Sequence, residues 1–163
     1  MKKIQLCFLL LILVFSTGIL HANTLNILIN QIDNGGNIPE EAAENVQVFL
    51  DSVIDYMFNA GFIVSTEKIS LATDITSDEG LAIKSCRYGY FDYLAIIRLH
   101  FNPETNQILE ADWQVKEIES LLVKNHGHEY PREKTTNSEA DAIKFGLQVA
   151  GKIYSSINDV MDW

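Results

Sequence analysis

The chain has 163 residues, a common length for one domain with its own hydrophobic core. It carries 22 acidic and 12 basic side chains, so its formal net charge is -10 at pH 7. Because this surplus of negative charge repels phosphate backbones and anionic lipid headgroups, the composition argues against nucleic acid as a partner.

The first 22 residues have the pattern of a secretory signal peptide. Two lysines precede an apolar stretch over residues 4–15, and small residues follow as far as Ala22. The apolar stretch is shorter than the roughly 20 residues that a membrane-spanning helix needs, and no lipobox follows its cysteine. We therefore predict cleavage after Ala22, with Gly18 as the alternative cut site. Residues 23–163 are then expected to form a single domain that is exported to the periplasm and has no stable membrane anchor.

The predicted domain opens with a strand and a long helix. Residues 24–32 are mostly apolar and β-branched, which is typical of a buried strand, and turn-forming residues follow at 33–37. Apolar residues then recur at three- and four-residue spacing from Ala42 to Phe58. The pattern predicts an amphipathic helix that has Pro39 in its first turn and Gly61 as its C-terminal cap.

A second strand and a shorter helix follow. Residues 62–66 resume the strand pattern, and Thr76 and Glu79 have the spacing of a capping box. The helix is expected to extend over residues 81–88 and to end at Gly89. Cys86 falls on its apolar side, so we predict a buried thiol; the alternative is a reactive thiol, for which Arg87 is the neighbouring cation in the sequence.

The second half of the domain is dominated by a hairpin. Residues 92–101 and 108–118 have strand patterns and flank an Asn-Pro turn, and residues 121–130 read as a third antiparallel strand. Ser138 and Asp141 then predict the cap of a closing helix. The order β-α-β-α-β-β-β-α predicts an α/β fold in which a mixed sheet with an antiparallel meander is covered by helices.

Three histidines form the candidate metal site. Residues two apart in a strand face the same way, so His126 and His128 could reach one ion, and His100 could supply a third ligand if it lies on the neighbouring strand. Gly127 argues against this alignment, because glycine inside a strand often marks a bend. The alternative is that these histidines are exposed or hydrogen-bonded residues at the end of a strand.

The hairpin also supplies candidates for an interaction surface. Alternation places Glu110 and Asp112 on one face and Trp113 on the other, and Arg98 lies on the preceding strand. Trp113 is expected in the core, with an exposed aromatic binding patch as the alternative. The sequence contains no phosphate-binding loop, nucleophile elbow or CxxC motif, so we predict neither catalysis nor a cofactor.

Several segments resemble one family of periplasmic domains. The residues that carry the resemblance are the opening strand NILI, the corner NAGFIVSTEKI, the strand GYFDYLAIIRLHF and the closing helix EADAIKFGLQVAGKIYSSI. They are similar to the α/β domain of the TolB amino-terminal region, the curli-secretion protein CsgG and the LpoB activators of penicillin-binding proteins. The resemblance implies a non-enzymatic docking or assembly module with an envelope protein as its partner. Propeller repeats and a lipobox cysteine are missing, so no functional residue is transferred.

The sequence thus supports two functional hypotheses. The first is a non-catalytic protein-interaction module of the cell envelope, with Arg98, Glu110, Asp112 and Trp113 as candidate contacts. The alternative is a periplasmic protein that binds a metal ion or a small ligand through His126 and His128.

Overall fold

A computed structural model describes residues 22–32, 40–71, 75–102, 105, 107–132 and 138–158. The predicted signal peptide lies outside the described residues except for Ala22, as does the predicted loop at 33–37. The strands are β1 (Thr24–Ile32), β2 (Ile63–Thr66), β3 (Ser70–Leu71), β4 (Tyr93–Phe101), β5 (Ile108–Glu117) and β6 (Val123–Glu129). The helices are α1 (Glu40–Asn59), α2 (Ile75–Gly89) and α3 (Glu139–Asn158).

The strands form one mixed sheet in the order β2-β1-β4-β5-β6. β1 pairs in parallel with β2 and β4, and near its end it also pairs in parallel with the short β3. β4, β5 and β6 form an antiparallel meander. The predicted α/β class and the meander are confirmed, whereas β3 was not predicted because two residues are too few to show a periodicity.

The larger part of the core lies between the sheet and helices α1 and α3. Alternate residues of the central strands, such as Ile27, Ile97 and Trp113, meet buried side chains of the two helices on this side. A smaller cluster on the other face joins Leu28 of β1 to Cys86 of α2. The sheet is therefore covered by two long helices on one face and by one shorter helix on the other, as the burial of large apolar side chains requires.

Two of the predicted helix ends are confirmed. Gly61 has a φ of 92°, its N–H donates to the Phe58 carbonyl at 3.0 Å, and the Phe62 N–H donates to the Met57 carbonyl at 3.1 Å. These two bonds form the Schellman motif, which explains why glycine follows α1. At the start of α3, the Asp141 N–H donates to Ser138 Oγ at 3.3 Å.

The predicted capping box of α2 is wrong. The helix begins at Ile75, so Thr76 already lies within it. Glu79 does not return to the start of the helix, because its carboxylate contacts Lys116 and Arg98 on the sheet. The attraction of two cations from neighbouring strands outweighs the local bond that the spacing predicted.

Candidate functional site

The meander leaves one face of the sheet uncovered by any long helix of the described residues. α2 packs over β1 and the first half of β4, and the remaining side chains of that face are polar. We call this surface the open face. Its members are Arg98, His100, Glu110, Asp112, Gln114, Lys116, His126 and His128.

Two histidines and two carboxylates form a closed network on the open face. Asp112 accepts from both rings, since His100 Nε2 lies 2.9 Å from its Oδ2 and His128 Nδ1 contacts its Oδ1. Glu110 lies opposite, with its Oε2 3.1 Å from His128 Nε2 and its Oε1 3.9 Å from His100 Nδ1. Tyr130 completes the group, because its hydroxyl lies 2.8 Å from His128 Nε2. The strand register explains the arrangement, since Asp112 is directly opposite both Arg98 and His128.

The network favours the charged forms of Asp112 and His128. Burial raises the pKa of Asp112, but the hydrogen bonds from His128 and His100 outweigh this effect and hold the pKa below its usual range. The hydrogen bond to Asp112 raises the pKa of His128 above its usual value, against a smaller opposing effect of desolvation. Both ring nitrogens of His128 face carboxylates, which is the arrangement that an imidazolium ring needs in order to donate twice. The two shifts together favour the ion pair between Asp112 and His128.

A second group of charges joins the open face to α2. Glu79 accepts from Lys116 and lies 3.6 Å from Nη2 of Arg98. These side chains are between 17% and 27% exposed, so the ion pairs are partly shielded from water. Glu79 therefore anchors α2 to β4 and β5 and positions the two cations at the border of the open face.

The predicted metal ligands are only partly brought together. His100 and His128 meet at Asp112, whereas His126 is exposed and pairs with Gln114 in the strand register. Among the described residues, no group of three or more His, Cys, Asp or Glu side chains is arranged to hold a metal ion. The ring nitrogens of His128 are instead directed at Asp112 and Glu110.

The predicted interaction residues divide between the two faces of the sheet. Arg98, Glu110 and Asp112 all lie on the open face, but Trp113 points to the opposite side and is only 6% exposed. The alternative of an aromatic binding patch at Trp113 is therefore wrong, and its place in the core is confirmed. Its ring lies against Gly127 of β6, where a Cβ atom would come within 2.6 Å of it. Gly127 thus makes room for the indole.

Three members of the site escaped sequence reasoning. Tyr130 follows His128 by two residues, a spacing that could have indicated contact on one strand face. Lys116 follows Asp112 and Gln114 in the same alternation. No sequence pattern indicated that Glu79 contacts the sheet, because its partner Lys116 lies 37 residues away in the chain.

The single cysteine of the described residues lies in the core. Cys86 is fully buried, as predicted, and Asn26 Nδ2 donates to its sulfur at 3.4 Å. Burial raises the pKa of this thiol, so the thiolate that a nucleophile requires is disfavoured.

None of the helices in the described ranges combines the length and the apolar character needed to cross a bilayer.

Comparison with known proteins shows similarity at the level of the fold. Neither a protein-family model nor a curated protein matches this chain. Among solved structures, TolB from Acinetobacter baumannii is similar with 11% identity and a TM-score of 0.50, over 85% of this chain and 29% of that chain. The LpoB C-terminal domain from Salmonella enterica is similar with 16% identity and a TM-score of 0.44, over 72% and 87% of the two chains. Lipoprotein GNA1162 from Neisseria meningitidis has 14% identity and a TM-score of 0.46, over 82% and 96%.

The match to TolB confirms the predicted resemblance as a likeness of fold. This chain spans less than a third of that TolB structure. The described residues of this chain accordingly share an α/β architecture with that TolB structure, and the comparison identifies no functional residue.

Proposed function

We propose that this protein is a non-catalytic protein-interaction module of the bacterial cell envelope, exported to the periplasm as a single domain that extends from residue 23. The observation that carries the proposal is the open face, a polar surface on one side of a sheet whose other side packs against α1 and α3. The predicted signal peptide supports export, and the TolB-like fold supports a place among envelope proteins.

The open face has the properties of a preorganised binding surface. Asp112 is 38% exposed and His128 is 41% exposed, and each is held in position by charged neighbours. A side chain that is already fixed loses less conformational entropy when a partner binds. Charged groups at such a surface contribute mainly to specificity and to the rate of association.

Site-specific photo-crosslinking tests the proposal. A photoreactive residue replaces Gln114, which lies at the centre of the open face, and the matched control replaces Asp55, which is exposed on α1 on the other side of the sheet. We expect position 114 to give a discrete adduct with an envelope protein in intact cells, and position 55 not to give it. The same set of adducts from both positions, or none from position 114 in folded protein, would refute an interaction through the open face.

A further inference from the structure

A cavity between α2 and the sheet is separate from the open face. It has a volume of about 470 Å³ and lies towards the β2 end of the strand order, whereas the open face belongs to β4, β5 and β6. Apolar side chains and two carboxylates share its lining, namely those of Leu28, Ile69, Leu81, Ala82, Glu67 and Asp78. This size and this mixture of groups are typical of a site for a small molecule.

Two buried asparagines of β1 hold the two carboxylates in place. Asn26 is 2% exposed, and its Nδ2 donates to Oε1 of Glu67 at 2.8 Å. Asn30 is fully buried, and its Nδ2 donates to Oδ2 of Asp78 at 3.3 Å. Because hydrogen bonds to a carboxylate are strong, both acidic groups are fixed before a ligand arrives, and binding then costs less conformational entropy.

The packing of α2 on β1 sets the distance between the two carboxylates. Asn26 and Asn30 are four residues apart on one face of a strand, which corresponds to about 13 Å. Along the helix, Asp78 contacts Asn30, and Sγ of Cys86 lies 3.4 Å from Asn26 Nδ2. Eight residues of an α-helix span about 12 Å, in agreement with the strand. The carboxylates therefore lie roughly 10–14 Å apart, with Leu28 between them.

The buried end of the cavity contains an acceptor that lacks a donor. Oδ1 of Asn26 has no hydrogen-bond partner within the described part of the chain, although buried polar groups are nearly always paired. The amide is directed at the cavity wall, since its Nδ2 donates to Glu67. Glu67 is half-buried, so a rotation of its side chain opens a path to Oδ1. A group with several donors and no acceptor matches this end of the cavity, and an alkylammonium group is of this kind.

We propose that this cavity binds a linear aliphatic polyamine, with one terminal ammonium group at Glu67 and the other at Asp78. The terminal nitrogens of extended spermidine are about 11 Å apart, whereas those of putrescine are only about 6 Å apart. The methylene chain lies on Leu28 and covers Leu81, which is 62% exposed without a ligand. The inference goes beyond the proposed function and does not depend on it.

Calorimetric titrations with spermidine and putrescine at low salt test the proposal. Glu67→Gln and Asp78→Asn each remove one negative charge but keep an oxygen that accepts from the asparagine amide. Glu119→Gln is the matched control, because it removes the same charge from an exposed residue in the turn between β5 and β6. Leu81→Arg adds a like charge to the cavity wall without altering the buried amides. Thermal melting establishes that each variant is folded.

We expect spermidine to bind the wild type and the Glu119→Gln variant with the same affinity. Putrescine should bind the wild type roughly ten-fold more weakly, because it reaches only one carboxylate. Spermidine should lose about the same factor in Glu67→Gln and in Asp78→Asn. It should not bind Leu81→Arg, since the added cation occupies the cavity.

Lys68 supplies a further variant, because it is the cationic member of the cavity lining and is itself exposed. Lys68→Gln removes a repulsion and should strengthen the binding of spermidine. NMR spectra locate the site independently. The side-chain NH₂ signals of Asn26 and Asn30 should shift as spermidine is added, because the carboxylates that they contact gain a second partner.

Three results would overturn the polyamine site. Equal effects of Glu67→Gln and Glu119→Gln would do so, since binding would then be a general attraction to an acidic chain. Equal affinities for spermidine and putrescine, or no binding of spermidine, would do so as well. Unshifted asparagine signals at saturation would place the ligand elsewhere and have the same consequence. Crosslinking from position 114 tests the proposed function separately, because Gln114 lies outside the cavity.

Discussion

Replacement of Gly146 by alanine should separate helices α1 and α3. A Cβ atom at this position would lie 2.0 Å from Ser52 Oγ and 2.6 Å from the carbonyl oxygen of Phe49. The hydroxyl is itself fixed, because Ser52 is buried and its Oγ donates to the Phe49 carbonyl at 2.7 Å. Since the carbonyl belongs to the backbone of α1, a rotamer change cannot relieve the overlap and the helices must move.

The expected loss of stability is about 2 kcal/mol. Overpacking of a well-packed core costs about 1–3 kcal/mol, and a clash with backbone belongs at the upper end of that range. Alanine recovers up to about 1 kcal/mol because its helix propensity exceeds that of glycine. At roughly 4 °C per kcal/mol for a domain of this size, the midpoint of thermal unfolding should fall by about 8 °C.

Gly151 provides the matched control on the same helix. A Cβ atom there would have Tyr56 Oη as its nearest neighbour at 3.7 Å, an ordinary contact. Gly151→Ala should therefore stabilise the protein by about 0.5–1 kcal/mol through helix propensity alone. Urea unfolding with unchanged m-values measures both effects. If the two variants change stability in the same direction, the reasoning from the α1–α3 contact is refuted.

Three further predictions concern the network, a helix end and metal binding. Asp112→Asn should lower the pKa of His128 in a histidine NMR titration, because the hydrogen bond that raises it is lost; an unchanged pKa would show that the ion pair is unimportant in solution. The pair should contribute most to stability between pH 3.8 and pH 6.5, the ordinary pKa values of an aspartate and a histidine. Its contribution is lost as the pH falls through the lowered pKa of Asp112, and again as the pH rises through the raised pKa of His128. Gly61→Ala should lower the free energy of unfolding by about 1 kcal/mol, because the φ of 92° at this position strains any residue with a Cβ atom. Gly80→Ala is the control and should not destabilise the protein, because a Cβ atom there meets nothing within 4 Å. Equal effects of the two variants on the urea midpoint would contradict this explanation. Calorimetry with Zn²⁺ should give weak binding that is the same for the wild type and a His126→Ala, His128→Ala double variant, and tight binding lost in the double variant would instead establish the predicted metal site.

The open face shows which features the alternation of residues along a strand predicts and which it does not. The pattern separated Glu110 and Asp112 from Trp113 correctly, because successive side chains of a strand point to opposite faces. It also indicated that His100 could approach β6. It could not show that Asp112 lies between His100 and His128, since that depends on the register of two strand pairs.

The capping box of α2 shows where local reasoning fails. Thr76 and Glu79 have the spacing of a cap, but the carboxylate contacts Lys116 and Arg98 instead. These cations lie on strands distant from Glu79 in the sequence and reach it only after the sheet has formed. The capping-box spacing was thus overridden by tertiary contacts, which the spacing of residues along the chain cannot predict.

The sequence by itself determined the α/β class, the order of the strands and helices apart from β3, the caps at Gly61 and Ser138, and the burial of Cys86 and Trp113. These features depend on periodicity and turn chemistry, which act over a few residues. Only the tertiary structure decided which histidines meet a carboxylate, that Gly146 lies against α1, and that β6 is the last strand of the sheet among the described residues. These features depend on register and packing between segments far apart in the chain, so the open face became visible only once the strands were placed side by side.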